Sequence, residues 1–249
     1  MPRFFVRREQ IDGDTVTILG DDAHHISRSL RMAVGETVTV CDMQKYEYTC
    51  ELTAFLPDHV EARILSSRQS DTEPPYEVTV FQALPKGDKL DSIIQKAVEC
   101  GASRIVPFES ERCVARMKAD SEARKTERRQ RIATEAAKQC GRGCLPEVLP
   151  TISFEEMLQK AAAADTVLFC YEGDGTVPIG SLLQNADLPQ GGELALVIGS
   201  EGGFSQREAA NAAERGFLMT GLGPRILRTE TAPTFALACI SYHLELSSQ

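Results

Sequence analysis

Leu194-Ala195-Leu196-Val197-Ile198-Gly199-Ser200-Glu201-Gly202-Gly203 is an unbroken apolar run that stops in a glycine-rich turn. A continuous run suits a strand covered on both faces in a parallel sheet, because a half-exposed strand would alternate apolar and polar residues. In open α/β sheets ligands sit outside the carboxyl ends of the strands, so the turn is itself a candidate ligand loop. Two more expected strand ends in the same half of the chain leave through glycine, Tyr171-Glu172-Gly173-Asp174-Gly175 and Leu222-Gly223-Pro224-Arg225. One such turn is structurally ordinary, whereas three together point to a shared site. None carries the Lys-Ser/Thr ending of a phosphate-cradling loop or the spaced glycines of a dinucleotide fingerprint, which disfavours nucleoside triphosphates and NAD.

Around that run the pattern alternates. Val78 to Leu84, Ser103 to Phe108, Thr166 to Tyr171, Leu194 to Ile198 and Phe217 to Leu222 read as strands. Helical stretches fall near 121–140, 154–164, 179–186 and 205–215, and a further one carries the stripe Leu90, Ile93, Ile94, Ala97 and Val98 before Gly101. Ser205 and Glu208 form a capping box, and Thr231 is the expected N-cap of a closing helix with Pro233 in its first turn. This is the signature of a mostly parallel α/β sheet. Residues 1–68 instead read as short β-rich segments, interrupted by one helix capped by Asp21 or Asp22, and suggest a small barrel. The polar stretch Gln69 to Pro75, ending in paired prolines, is the linker candidate, so the expected division is 1–68, a linker at 69–76, and 77–249.

The chain has 249 residues, 42% of them hydrophobic, with a formal net charge of -9. No apolar run approaches the roughly 20 residues of a membrane span, and a soluble, cytoplasmic protein is expected. The eight cysteines are scattered, and the closest pair, Cys140 and Cys144, has no partner pair of metal-ligand spacing. No metal is expected. A net charge of -9 argues against indiscriminate binding to polyanions, since that affinity comes from Lys and Arg on phosphates. Yet Arg112 to Arg142 holds ten basic residues, Lys118 among them, against four acidic ones. Arg228-Thr229-Glu230-Thr231, at the mouth of the last helix, reads equally as a cap with a local ion pair or as an arginine that holds an anionic or polarised substrate group.

The order of these motifs resembles the SPOUT superfamily of RNA methyltransferases, and most closely its bacterial 16S rRNA (uridine-N3) methyltransferases. The resemblance runs from Pro2-Arg3-Phe4-Phe5 and His24-His25-Ile26-Ser27-Arg28-Ser29-Leu30-Arg31 through Leu84-Pro85-Lys86-Gly87-Asp88-Lys89-Leu90 and Gln95 to Gly101. It continues through Ser110-Glu111-Arg112-Cys113 and Gln139-Cys140-Gly141-Arg142 to the Ile198 to Ser205 and Leu222 to Ala232 motifs. Ser200 stands where proline is commonest in the family, and Cys100 where leucine is more usual.

The resemblance implies an N-terminal PUA-like β-barrel that binds RNA and a C-terminal SPOUT α/β domain with a deep C-terminal trefoil knot, a rare exception to the rule against threading. It implies S-adenosylmethionine as cofactor, with S-adenosylhomocysteine as product, held by three loops. Those loops map to Tyr171, Glu172 and Gly173; to Ile198, Gly199, Ser200, Glu201, Gly202 and Gly203; and to Leu222, Gly223, Ile226, Leu227, Arg228 and Thr231. It further implies a homodimer acting on a uridine in the decoding region of 16S rRNA, within the small ribosomal subunit. Arg228 is the candidate for stabilising charge on the uracil oxygens, with Glu201 and Glu230 as orienting groups or proton acceptors. Arg3, Arg7, Arg8, Arg28, Arg31, Arg112, Arg128, Arg129 and Arg142 are the candidate phosphate contacts. Two alternatives stand beside this: a SPOUT enzyme acting on another RNA position, and a non-catalytic RNA-binding ribosome assembly factor.

Overall fold

The computed structural model describes residues 1–117, 119–185 and 191–247. It divides into two compact units, Met1–Glu73 with Ala137–Leu145, and Pro74–Ala136 with Pro146–Gln249. The cut after Glu73 falls inside the expected linker. Ala137–Leu145, read from sequence as C-terminal domain, belongs to the first unit. The reason is Glu73: its carboxylate accepts hydrogen bonds from Arg142 Nε and Nη2 and from the amides of Gly143 and Cys144, at 2.8–3.1 Å. Glu73, in the middle of the expected linker, is therefore an anchor with a buried side chain rather than solvated chain.

In the first unit the strands are β1 (Arg3–Phe5), β2 (Ile11–Asp12), β3 (Thr15–Leu19), β4 (Thr37–Cys41), β5 (Tyr46–Phe55) and β6 (His59–Gln69). They form one sheet in the order β1-β4-β5-β6-β3-β2, parallel between β1 and β4 and antiparallel elsewhere. The alternation of β3 and β4 puts Val16, Ile18, Val38 and Val40 in one core with Phe4, Ile26 and Leu52. Burying each of these side chains contributes about 1.5–3 kcal/mol. The helix after β3 differs from expectation. Gly20 takes a φ of +62°, so the chain turns straight into α1 (Gly20–His24), and Asp21 and Asp22 lie inside the first turn instead of capping it. A π-helical turn, His25–Ser29, follows.

In the second unit β7 (Glu77–Ala83), α2 (Lys89–Glu99), β8 (Arg104–Glu109) and α3 (Ala119–Cys140) come first. Then follow β9 (Glu147–Val148), β10 (Ile152–Ser153), α4 (Phe154–Ala161), β11 (Thr166–Cys170), β12 (Val177–Pro178) and α5 (Ile179–Asn185). Residue 186, the expected end of α5, lies outside the described residues. The chain closes with β13 (Glu193–Ile198), α6 (Gln206–Glu214), β14 (Leu218–Gly221) and α7 (Ala232–Ser241), then a π-helical turn at Tyr242–Leu246.

The sheet order is β10-β8-β7-β13-β11-β14-β12, with β9 beside β8, and every pairing is parallel. Central β13 is buried from Leu194 to Ile198, as its unbroken apolar run requires. The stripe Leu90, Ile93, Ile94, Ala97 and Val98 is the buried face of α2. The Ser205–Glu208 capping box forms as the spacing implies, each side chain bonding the other's amide. Thr231 precedes α7 as expected, yet its side chain makes no cap bond, because its backbone is already helical (φ -93°, ψ -37°). Among the described residues no helix is long and apolar enough to cross a membrane.

Candidate active site

The strands β13, β11 and β14 are neighbours and point the same way, so the loops that leave them open on one edge of the sheet. A cavity of about 710 Å³ lies there. Its walls are Tyr171, Glu172 and Gly173 after β11; Ile198 to Phe204 after β13; and Leu222 to Thr229 after β14, with Lys89 and Arg112 from elsewhere in the unit. Every residue expected from sequence to hold the cofactor lines this cavity except Thr231, which is exposed at the start of α7.

The loop after β13 is a tight turn. Gly203 N donates to Ser200 O at 2.9 Å, and a Cβ on Gly199 would come within 3.2 Å of Gly203 Cα and 3.3 Å of the Phe204 ring. Gly223 adopts a φ of +100°, a region that L side chains rarely enter, and this turns the third loop back toward the cavity. Phe204 anchors the turn from below: its ring lies 4.3 Å from Phe169 and stacks on Phe108 at 6.3 Å, giving the floor a rigid aromatic base.

Two buried side chains fasten the loops together, Thr229 from the Arg228–Thr231 stretch and Gln82, which sequence reasoning did not single out. Thr229, buried, donates from Oγ1 to Gly199 O at 2.7 Å and accepts from Gln82 Nε2 at 3.0 Å. Gln82, fully buried at the end of β7, thus ties the second and third loops to the sheet. A buried Gln at a strand end in an otherwise apolar run was the available signal. The Ser200 hydroxyl is buried with no hydrogen-bond partner among the described residues, although it stands in the cavity wall. An orphaned buried hydroxyl is uncommon and marks a place where a ligand or water completes the site.

Glu201 and Glu230 meet at one cation. Lys89 Nζ lies 2.9 Å from Glu201 Oε1 and 3.1 Å from Glu230 Oε2, and Lys86 N donates to both oxygens of Glu201. Partial burial pushes the Glu201 carboxyl up, but the Lys89 ammonium and backbone amides outweigh it and hold it below the ordinary carboxylate range. Glu230 is likewise held down, first by a backbone amide and then by Lys89. Carboxylates held ionised in this way are poor proton acceptors, so the geometry favours orientation over the proton-accepting role. Arg228 and Arg225 are exposed in the cavity wall, and among the described residues neither forms a side-chain hydrogen bond or ion pair.

The expected phosphate contacts divide sharply. Arg7, Arg28 and Arg31 are exposed; Arg8 is exposed and touches Tyr48 Oη at 3.3 Å. Arg128 is exposed but doubly bonded to Asp91, and Arg112 donates to Gly202 O at 3.0 Å, which makes it part of the cavity wall. Arg3, Arg129 and Arg142 are corrections. Arg142 is buried on Glu73, Arg129 is buried on Glu122 and Thr151, and Arg3 bonds Glu47 and Arg142 O, so none presents its guanidinium to a phosphate. Lys118 lies outside the described residues. All eight cysteines are free thiols, and among the described residues no cluster could hold a metal.

Residues 72–241 match the model of an RNA methyltransferase domain, and 18–65 that of an RNA methyltransferase PUA domain. The chain is 37% identical to the ribosomal RNA small subunit methyltransferase E of Bacillus subtilis (strain 168) over 252 residues, 99% of this chain and 98% of the relative. The chain belongs to the ribosomal RNA small subunit methyltransferase E family. It is an RNA methyltransferase with an N-terminal PUA domain and a C-terminal parallel sheet. Among solved structures, the Neisseria gonorrhoeae member of the family bound to S-adenosyl methionine is 33% identical, with 97% of each chain covered and a TM-score of 0.83. A putative methyltransferase of Legionella pneumophila in complex with the bound cofactor SAM is 29% identical over 96% of each chain, with a TM-score of 0.82.

Proposed function

We propose that the protein transfers the methyl group of S-adenosylmethionine to N3 of a uridine in the decoding region of 16S rRNA, acting as a cytoplasmic homodimer on the small ribosomal subunit. The observation that carries this reading is the convergence of three loops from adjacent strands on one cavity, with the Ser200 hydroxyl buried and unpartnered in its wall. The cavity suits that cofactor: it is of small-molecule size, its glycines leave backbone groups accessible, and Phe204 closes its floor. Tyr171 to Gly173, Ile198 to Gly203, and Leu222, Gly223, Ile226, Leu227 and Arg228 would hold it. We extend the proposal to the architecture: the last segment threads a trefoil knot that brings the third loop against the second, and the six-stranded sheet closes around its core as a barrel.

When bound, S-adenosylmethionine supplies an electrophilic methyl on a sulfonium. The chain's own task is alignment and electrostatics. Uridine N3 lies on the Watson–Crick edge and carries a proton, so the base must be unpaired and its imide brought toward the anion. Arg228, exposed and unpaired at the cavity wall, stabilises the negative charge that develops on the uracil oxygens. Glu201 and Glu230, held ionised by Lys89, orient the loops. Arg7, Arg8, Arg28 and Arg31 are the arginines left to take phosphates on the PUA-domain side.

The test is transfer of labelled methyl from S-adenosylmethionine to purified small subunits lacking the modification, followed by nucleoside mass spectrometry. A 3-methyluridine product supports the reading. A different methylated nucleoside moves the target, and cofactor binding without any transfer favours the assembly-factor alternative.

A further inference from the structure

Lys89 lies in the Leu84–Leu90 motif, to which the sequence reading gave no role of its own, yet its ammonium is where the carboxylates of Glu201 and Glu230 converge. It is the first residue of α2, outside all three loops. Its ammonium reaches Glu201, the second residue of the Ser200–Gly203 turn, and Glu230, which adjoins the Thr229 that bonds Gly199 O. Lys86 N, in the bend that precedes α2, adds a second grip on Glu201. The remaining charge near Glu230 is Arg228, which forms no hydrogen bond to it. One side chain therefore ties the start of α2 to the second and third loops.

We propose that Lys89 is a positioning residue for methyl transfer, acting through Glu201 and Glu230 to hold the second and third loops in their binding arrangement. The proposal rests on the reading that this cavity holds S-adenosylmethionine. The side chains of Lys89, Glu201 and Glu230 are 36%, 27% and 23% exposed, so either pair alone would contribute little in water. A cation shared by two carboxylates on separate loops acts instead on loop order. Its loss should appear in cofactor binding, with little change in global stability.

The experiment is equilibrium binding and steady-state kinetics of Lys89→Met, Lys89→Arg, Glu201→Gln and the double variant Lys89→Met/Glu201→Gln. Lys89→Met should raise both the Kd and the KM for S-adenosylmethionine by about fivefold, the upper range for partly exposed pairs, with kcat within about threefold and Tm unchanged. Lys89→Arg, which keeps the charge, should recover most of the affinity. The double variant should lose less than the sum of the two single losses, because the Lys89–Glu201 contact is already gone in either single variant. Wild-type affinity in Lys89→Met, or strictly additive losses in the double variant, would overturn the role of Lys89 while leaving the cavity reading intact. Absence of S-adenosylmethionine binding by the wild type would overturn both.

Discussion

Arg142 and Arg228 look alike in the sequence, each beside glycines or hydroxyls and each near an acidic residue, yet the fold gives them opposite fates. Arg142 is buried against Glu73 in the PUA-bearing unit, whereas Arg228 is exposed and unpaired in the cavity wall. The difference separates two uses of charge. A buried, fully hydrogen-bonded pair fixes chain segments in place, and breaking it is expensive because the partner is left unpaired. A free guanidinium at a site remains available for charge that appears only during reaction.

The comparison breaks most visibly if Arg142 is removed. Arg142→Met leaves Glu73 buried without its counter-ion, and stability should fall by about 3–5 kcal/mol, lowering Tm by roughly 10 °C or more in thermal unfolding. Arg228→Ala should do the reverse. Its Tm should stay within about 1 °C of wild type, while kcat drops by about 10²–10³-fold in the methyl-transfer assay with cofactor affinity little changed.

The same contrast extends to pH. Burial would raise the Glu73 carboxyl, but Arg142 and the amides of Gly143 and Cys144 outweigh it and hold it below the ordinary range. Because its folded-state pKa is depressed, its contribution is fully present above the unfolded carboxylate pKa of about 4.3 and is lost as pH falls through the folded value. Thermal unfolding should therefore be flat from near neutrality to about pH 5 and fall below it, and the double variant Glu73→Gln/Arg142→Met should show a shallower acid slope. Glu47, lowered chiefly by Arg3 and Ser70 against its own burial, keeps part of that slope in the double variant.

Ser200 sharpens the cavity side of the comparison. Removing an unpartnered buried hydroxyl relieves the free protein, so Ser200→Ala should raise the cofactor-free Tm by about 2 °C while weakening S-adenosylmethionine binding a few-fold, roughly one hydrogen bond's worth. Equal affinities by calorimetry would show that the hydroxyl is idle. The smallest effect is expected from Arg28→Gln/Arg31→Gln, which should reduce the salt slope of RNA binding by about 1–2 without altering cofactor affinity.

Much of the fold is legible in the sequence, because the strands β8, β11 and β13 hold continuous apolar runs, β7 is interrupted only by Thr79 and Gln82 between its apolar residues, and the Ser205–Glu208 box marks a helix start. The two-residue strands β9, β10 and β12 leave no periodic trace. The glycine-bearing loops were legible as site elements because strand ends in a parallel sheet have a known use. The partners of charged residues were not: local composition marks 112–142 as basic, but only the tertiary structure shows Arg129 and Arg142 turned inward, and only the fold brings Lys89 to Glu201 and Glu230. The packing of Ala137–Leu145 with the first unit is invisible in the sequence for the same reason, since Glu73 lies more than sixty residues away in the chain.

The central claim, that the three loops form the cofactor site while the Glu73–Arg142 network is purely structural, is tested most directly by amide hydrogen exchange with and without S-adenosylmethionine. The account predicts slowed exchange in residues 171–176, 199–204 and 222–229, with 137–145 unchanged. Protection elsewhere with those three loops unaffected would contradict it.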